Sequence, residues 1–287
     1  MDIEKTPSSW IVTHLCCGRL STRILPLLLL PLLLSEAAFA QSTGTIVPED
    51  EQEIVRLVNQ ERQSRGLATL VTDERLQQAA RKHSRLMAST REVEHELPGE
   101  PKVSIRLAEN ALRFDTSGEN VALAANAARV HTILMHSPGH RANILDGDYN
   151  AIGVGVVRTK EGIYVTEDFA RRLPEASVSD AEEQVAASLN RMRRATGFPI
   201  LRRLPAPDLR KQACRMASNN KLDPGAGLSS PNASGSVTFT AADLTRVAHP
   251  LERLKTSTAS AFSVGACYQS SATYGNPVFW IIVVTYF

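Results

Sequence analysis

Gly118-Glu119-Asn120-Val121 and, further on, His136-Ser137-Pro138-Gly139-His140-Arg141-Ala142-Asn143-Ile144-Leu145 concentrate the polar chemistry of this 287-residue chain. A Gly-led turn is expected at Glu119, because glycine frees the backbone from the usual φ/ψ limits. Ser137-Pro138 has the form of a helix N-cap followed by proline at the first helical position, which puts His140 in the first turn of a short helix. His95 lies upstream in a loop-like segment, His95-Glu96-Leu97-Pro98-Gly99. Two imidazoles and one carboxylate can converge as metal ligands or as acid/base groups.

Working outward, Pro48-Glu49-Asp50 opens a helix on which Ile54, Leu57, Val58 and Glu61 carry the spacing and which Gly66 ends; Asp73 caps a second helix with the stripe Leu76, Ala80, His83, Met87. His83 therefore falls on an apolar face and reads as a buried, hydrogen-bonded structural group. Residues 103–112 suggest a short helix. Residues 124–135 suggest another, with Ala127, Val130, Ile133 and Leu134 inward and His131 solvated. Residues 151–157 and 163–169 read as two strands joined by a Gly-containing hairpin loop.

Composition sets limits on the rest. The chain is 43% hydrophobic and 22% charged, ordinary for a soluble globular protein, and its length suggests about two domains. A formal net charge of +2 demands no nucleic acid and no anionic membrane, and the basic run at residues 191–194 reads as a solvated helix face. Residues 1–40 read as a signal peptide: Arg19 and Arg23, a Pro-broken apolar run over 24–34 too short to span a bilayer, then Ala38-Phe39-Ala40 as a cleavage site. The alternative is an uncleaved anchor. Cleavage leaves Cys214 and Cys267, and an oxidising compartment favours their disulfide.

The second half echoes the first. Leu189-Asn190 through Gly197 follows the pattern of Val58-Asn59 through Gly66; residues 209–218 follow 76–84; Ala261 to Cys267 follows Ala151 to Val157 position by position. Residues 225–237 read as a long loop, and His249 stands where His140 stands but without partners. The expected organisation is a linker over 41–50, a domain over 51–172, a linker over 173–180 and a degenerate copy over 181–287.

Gly-Glu-Asn-Val, Ser-Pro-Gly-His-Arg-Ala-Asn-Ile-Leu and Ile152-Gly153-Val154-Gly155-Val156, in that order, resemble the bacterial branch of the CAP superfamily, also called SCP or cysteine-rich secretory/antigen 5/pathogenesis-related-1. The resemblance runs from Val58-Asn59-Gln60-Glu61-Arg62 to Asp168-Phe169. It implies an α+β fold of α-β-α sandwich type and a cleft that often holds two His and two Glu. Carried over, these are His95, Glu119 and His140; the second Glu has no match, its place being taken by Ser137 or His136. Arg141 and Asn143 are expected to fix the loop through backbone hydrogen bonds. Three functions follow as expectations. One is a secreted or periplasmic binding module for a lipid, sterol or peptide. Another is a metal-dependent hydrolase with Zn2+ on His95 and His140 and Glu119 as base or orienter. The third is a cell-envelope interaction protein with a vestigial site.

Overall fold

The computed structural model describes residues 44–271, 273 and 275–287. The proposed signal peptide and its cleavage site lie outside them.

Pro48 opens the first helix, α1 (Pro48–Gln63), with Glu49, Asp50 and Glu51 at the positive end of its dipole. A two-residue strand precedes it, β1 (Thr45–Ile46), where a linker was expected. After β2 (Val71–Thr72), Asp73 caps α2 (Glu74–Thr90), its carboxylate accepting from the Arg75 amide. The stripe Leu76, Ala80, His83, Met87 is wholly buried. There follow α3 (Val103–Glu109), β3 (Phe114–Ala124), α4 (Ala127–His136), α5 (Pro138–Leu145), β4 (Ala151–Arg158) and β5 (Ile163–Arg172).

These elements make a helix–sheet–helix sandwich. The sheet has the order β1-β4-β5-β3, with β2 also on β4; the β2–β4 pairing is parallel and the rest are antiparallel. Ile54 and Val58 of α1, with Val130 and Leu134 of α4, pack on the face carrying Ile152, Val154, Val165 and Phe169. Leu76, Ala79 and Met87 of α2 and Leu107 of α3 cover the opposite face. Gly153 and Gly155 allow the close approach of α2: a Cβ on either would lie 2.2–2.3 Å from the helix backbone.

Three local expectations fail. The Gly118-Glu119-Asn120 segment is not a turn but the middle of edge strand β3. Its glycine is required by crowding, since a Cβ there would meet the Tyr149 hydroxyl at 2.5 Å and Asn143 Oδ1 at 2.9 Å. Ile133 is 38% exposed and His131 half-buried, so the inward stripe of α4 is Ala127, Val130 and Leu134. Ser137 occupies the N-cap position of α5, but its side chain makes no capping bond.

The second half builds its own sheet from β6 (Arg202–Arg203), β7 (Ala233–Ala241), β8 (Ala261–Ser270) and β9 (Pro277–Tyr286), in the order β6-β8-β9-β7. This is the order β2-β4-β5-β3 again, with the first pairing once more parallel. Helices α6 (Val178–Ala195) and α8 (Ala248–Leu251) cover one face and α7 (Pro207–Ser218) the other. The linker expected to reach residue 180 ends earlier, because Ser177 and Asp180 form a reciprocal capping box that starts α6 at Val178. The expected loop at 225–237 is turn or bend only to residue 232, and from Ala233 it is strand β7. The run at 191–194 is not uniformly solvated: Arg193 is buried and donates to the carbonyls of Pro199, Leu254, Lys255 and Ser257. Cys214 and Cys267 are bridged, with Cα atoms 5.1 Å apart, tying α7 to β8.

The two sheets meet end to end. Arg113 lies over the rings of Tyr268 and Phe279 at 5.6 and 5.0 Å and donates to the Ala242 carbonyl. Arg171 bridges Asp115 and Asp243, and Asn276 Nδ2 donates to the Phe114 carbonyl at 3.0 Å.

Candidate functional site

The candidate site straddles the outer edge of β3. His95 reaches it from the loop after α2, on one side of the sheet, and His140 from the start of α5 on the other. Their ring centroids are 6.1 Å apart and tilted by 44°. His95 Nδ1–H donates to Glu119 Oε1 at 3.0 Å. Glu119 itself is buried, and its other oxygen pairs with Arg106 from α3. Arg106 also reaches Glu100 Oε2 at 3.2 Å and the His95 carbonyl at 3.1 Å. His83 lies beneath, its two ring nitrogens each 2.9 Å from an acceptor, Glu100 Oε1 and the Glu94 carbonyl. It is the buried, hydrogen-bonded group its stripe position suggests.

The α5 side is tied down by amides. Asn143 Nδ2 donates to the Glu119 carbonyl and to Asn120 Oδ1, while Asn120 Nδ2 donates to the His140 carbonyl and to Glu167 Oε2. Asn143 thus ties α5 to the strand edge. Arg141 is exposed and bonds to no described residue through its side chain, so it fixes nothing. His136 is exposed with Nδ1 on the Thr132 carbonyl at 2.7 Å, and Ser137 is half-buried; neither supplies the missing carboxylate.

The electrostatics separate the two imidazoles. The hydrogen bond to Glu119 pushes the His95 pKa above its ordinary 6.5, whereas burial and the neighbouring His95 push that of His140 below it. His95 therefore keeps its proton to higher pH than a free imidazole, and His140 loses its proton at lower pH. Two further acids sit behind them on β5. Asp168, directly opposite Glu119 in the strand register, is fully buried; burial first and the Glu119 charge second raise its pKa well above the carboxylate range. Glu167, opposite Asn120, is raised to about 7 by burial.

Reading the sequence did not find Arg106, Glu100, Glu167 or Asp168 as members of this site. A signal existed for the last two: in the otherwise apolar strand at 163–169, adjacent acids put one carboxylate on each face of the sheet. Arg106 had none, since a lone arginine on a short helix reads as solvated.

Zinc fits this arrangement poorly. Both oxygens of Glu119 are already engaged by Arg106 and His95, which leaves two imidazoles where a catalytic zinc takes three protein ligands. Among the described residues no group of three or more His, Cys, Asp or Glu is placed to hold a metal.

The helix–sheet–helix sandwich carries the motifs in order along β3, α5 and β4. Residues 55–169 match the CAP family, described as the cysteine-rich secretory protein family, and this part of the chain belongs to it. Two Bacillus subtilis proteins are similar over the same stretch. The uncharacterized protein YkwD is 34% identical over 119 residues, 41% of this chain and 46% of its own length. The uncharacterized membrane protein YlbC is 34% identical over 124 residues, 42% of this chain and 34% of its own. The chain spans less than half the length of these relatives. A solved extracellular protein with an SCP domain from Bacillus anthracis is 26% identical, covering 42% of this chain and 40% of that one, with a TM-score of 0.39. No helix among the described residues is long and apolar enough to cross a membrane.

Proposed function

We propose that this chain is an exported binding module that holds the anionic head of a small ligand, such as the carboxylate of a lipid or of a peptide, between His95 and His140. The carrying observation is the pair of facing imidazoles 6.1 Å apart at an open strand edge, one of them hydrogen-bonded to Glu119, which raises its pKa. An imidazolium and a neutral imidazole offer a charge-assisted donor and a second polar contact to one oxyanion. Hydrolysis at a zinc ion has less support, because the carboxylate that would serve it is committed to Arg106.

The second lobe, on this reading, is a degenerate copy that carries no such site. Three side-chain ties support the duplication. Asn59 exchanges two bonds with Leu70, and Asn190 does the same with Leu201. Arg62 gathers the carbonyls of Ala68, Ile144 and Asp146, as Arg193 gathers those of Pro199, Leu254 and Lys255. Glu51 accepts from the Val156 amide and Glu182 from the Ala266 amide.

Titration calorimetry with a medium-chain fatty acid and with a short peptide tests the site. His95→Gln and His140→Ala should each weaken binding about 10–100-fold, the worth of one charged hydrogen bond. Affinity should fall as pH rises through the raised pKa of His95, where the cation is lost. Variants that bind as the parent does would overturn the assignment.

A further inference from the structure

The net charge of +2 hides an asymmetry. Residues 44–177 hold 17 Lys and Arg against 20 Asp and Glu, whereas residues 178–287 hold 12 against 7. Part of the excess is gathered on one face. Arg191 and Arg194 of α6 and Arg203 of β6 line one shallow cavity of about 330 Å³ floored by Phe262. Arg203 pairs with Glu183 at the same cavity; Arg191 and Arg194 have no acidic partner among the described residues.

Beside this cavity the α6–β6 connection points an apolar tip at solvent. Gly197, at φ +79°, turns the chain into Phe198-Pro199-Ile200, with Phe198 37% and Ile200 57% exposed. The tip is held in place, since Asn190 and Leu201 exchange two hydrogen bonds and the Phe198 amide donates to the Arg193 carbonyl. The first lobe holds its corresponding loop by the same Asn59–Leu70 exchange. Counting from those bonds, the places of Arg191, Arg194, Ile200 and Arg203 are filled there by Gln60, Gln63, Thr69 and Thr72. The place of Phe198 is filled by Leu67, and the exposed Arg65 of that loop is paired with Glu61, so the first-lobe loop forms without the unpaired arginines and without an aromatic at its tip. One exposed aliphatic side chain needs no explanation. Its coincidence with a fixed loop and flanking unpaired arginines does.

We infer that this face docks on a membrane surface containing anionic phospholipid. Phe198 and Ile200 enter the boundary between headgroups and acyl chains, and Arg191, Arg194 and Arg203 lie at the level of the phosphates, where guanidinium groups bind in bidentate fashion. A soluble polyanion would satisfy the arginines and leave the apolar tip in water. The inference is independent of the His95–His140 cleft.

Co-sedimentation of the exported protein with phosphatidylcholine vesicles, with and without phosphatidylglycerol, tests it. Binding is expected only with phosphatidylglycerol, and it should weaken as salt is raised. A basic side chain near an anionic surface contributes about fivefold, so Arg191→Gln with Arg194→Gln should weaken binding about 25-fold. Ile200→Ser should weaken it about three- to tenfold by withdrawing apolar burial. These side chains are exposed, so the circular dichroism of each variant should match the parent. Equal sedimentation with neutral vesicles, or none with either, overturns the inference. So does full vesicle binding by Ile200→Ser together with heparin retention that depends on the arginines, which would mark a simple polyanion surface.

Discussion

The first sheet pairs Glu119 with Asp168 and Asn120 with Glu167 across β3 and β5, while the second pairs Ser236 with Val284 and Val237 with Val283 across β7 and β9. These positions correspond, because the β4–β5 and β8–β9 ladders both begin at an alanine, paired with Ala170 in one and Tyr286 in the other. The helix beneath differs in the same way. Counting from Leu76 and Leu209, the buried His83 of α2 answers to Met216 of α7. The ties that hold loops, Asn59 and Arg62 or Asn190 and Arg193, are present in both lobes. The buried acids of β3 and β5 are not. The sheet therefore folds with valine where the first lobe buries carboxylates, and such burial is costly. Only the first lobe bears that cost, with Glu119 on edge strand β3 and Glu167 and Asp168 on the neighbouring β5, and only there do two imidazoles face each other.

The contrast is broken most severely at Arg106. Replacing it with methionine leaves Glu119 and Glu100 buried without their cation, and removal of one partner from a buried pair costs about 3–5 kcal/mol. Ser236→Ala at the corresponding edge of the second sheet removes only a bond to the Ala226 carbonyl, about 1 kcal/mol. Urea denaturation of both variants measures the difference; equal losses would mean that the charged network is not what distinguishes the lobes.

The second lobe is stabilised covalently instead. Its disulfide closes a separation of 53 residues, worth about 4 kcal/mol in the chain-entropy model and commonly less in practice. A Cys214→Ala/Cys267→Ala variant should lose about 2–4 kcal/mol in the transition reported by Trp280, which is buried against α7. Ligand binding in the first lobe should be unaffected.

Much of this architecture is legible in the sequence because periodicity and punctuation carry it. Asp73, Gly66 and the stripe from Leu76 to Met87 mark two helices, and the Ala151–Val157 echo at Ala261–Cys267 marks two hairpins. The expected Gly118 turn fails because a glycine demanded by side-chain crowding looks, in one dimension, like one demanded by φ. The facing of His95 and His140 follows from family motifs and not from spacing, since they approach from opposite sides of a sheet. Arg106, Glu100 and Asp168 escape because their partners are set by strand register and by helix docking, neither of which is a local property of the chain.

The subtlest difference between the lobes is a pH dependence that only the first should have. Glu167 has a folded pKa of about 7 against 4.5 for the free side chain, because burial penalises its charged form. The folded state thus holds a proton that the unfolded chain releases near pH 4.5, so stability falls as pH rises between those two values and levels off above the folded one. From pH 5 to pH 8 the loss from this group is roughly 2–3 kcal/mol. Asp168, raised by burial and by Glu119, acts in the same direction. His95 adds to the slope, since its raised pKa gives stability at low pH that is lost as pH passes the folded value. Glu167→Gln keeps an oxygen for Asn120 and removes the titration. Its stability should decline less between pH 5 and pH 8 than the parent's, with Asp168→Asn removing a further share. Val283 and Val284 occupy these places in the second sheet and cannot titrate, so the Trp280 transition should be the flatter one. A Glu167→Gln variant with the parent's full pH slope would show that the buried acid is already neutral or already paired throughout that range, and the comparison would then rest on Asp168 and His95.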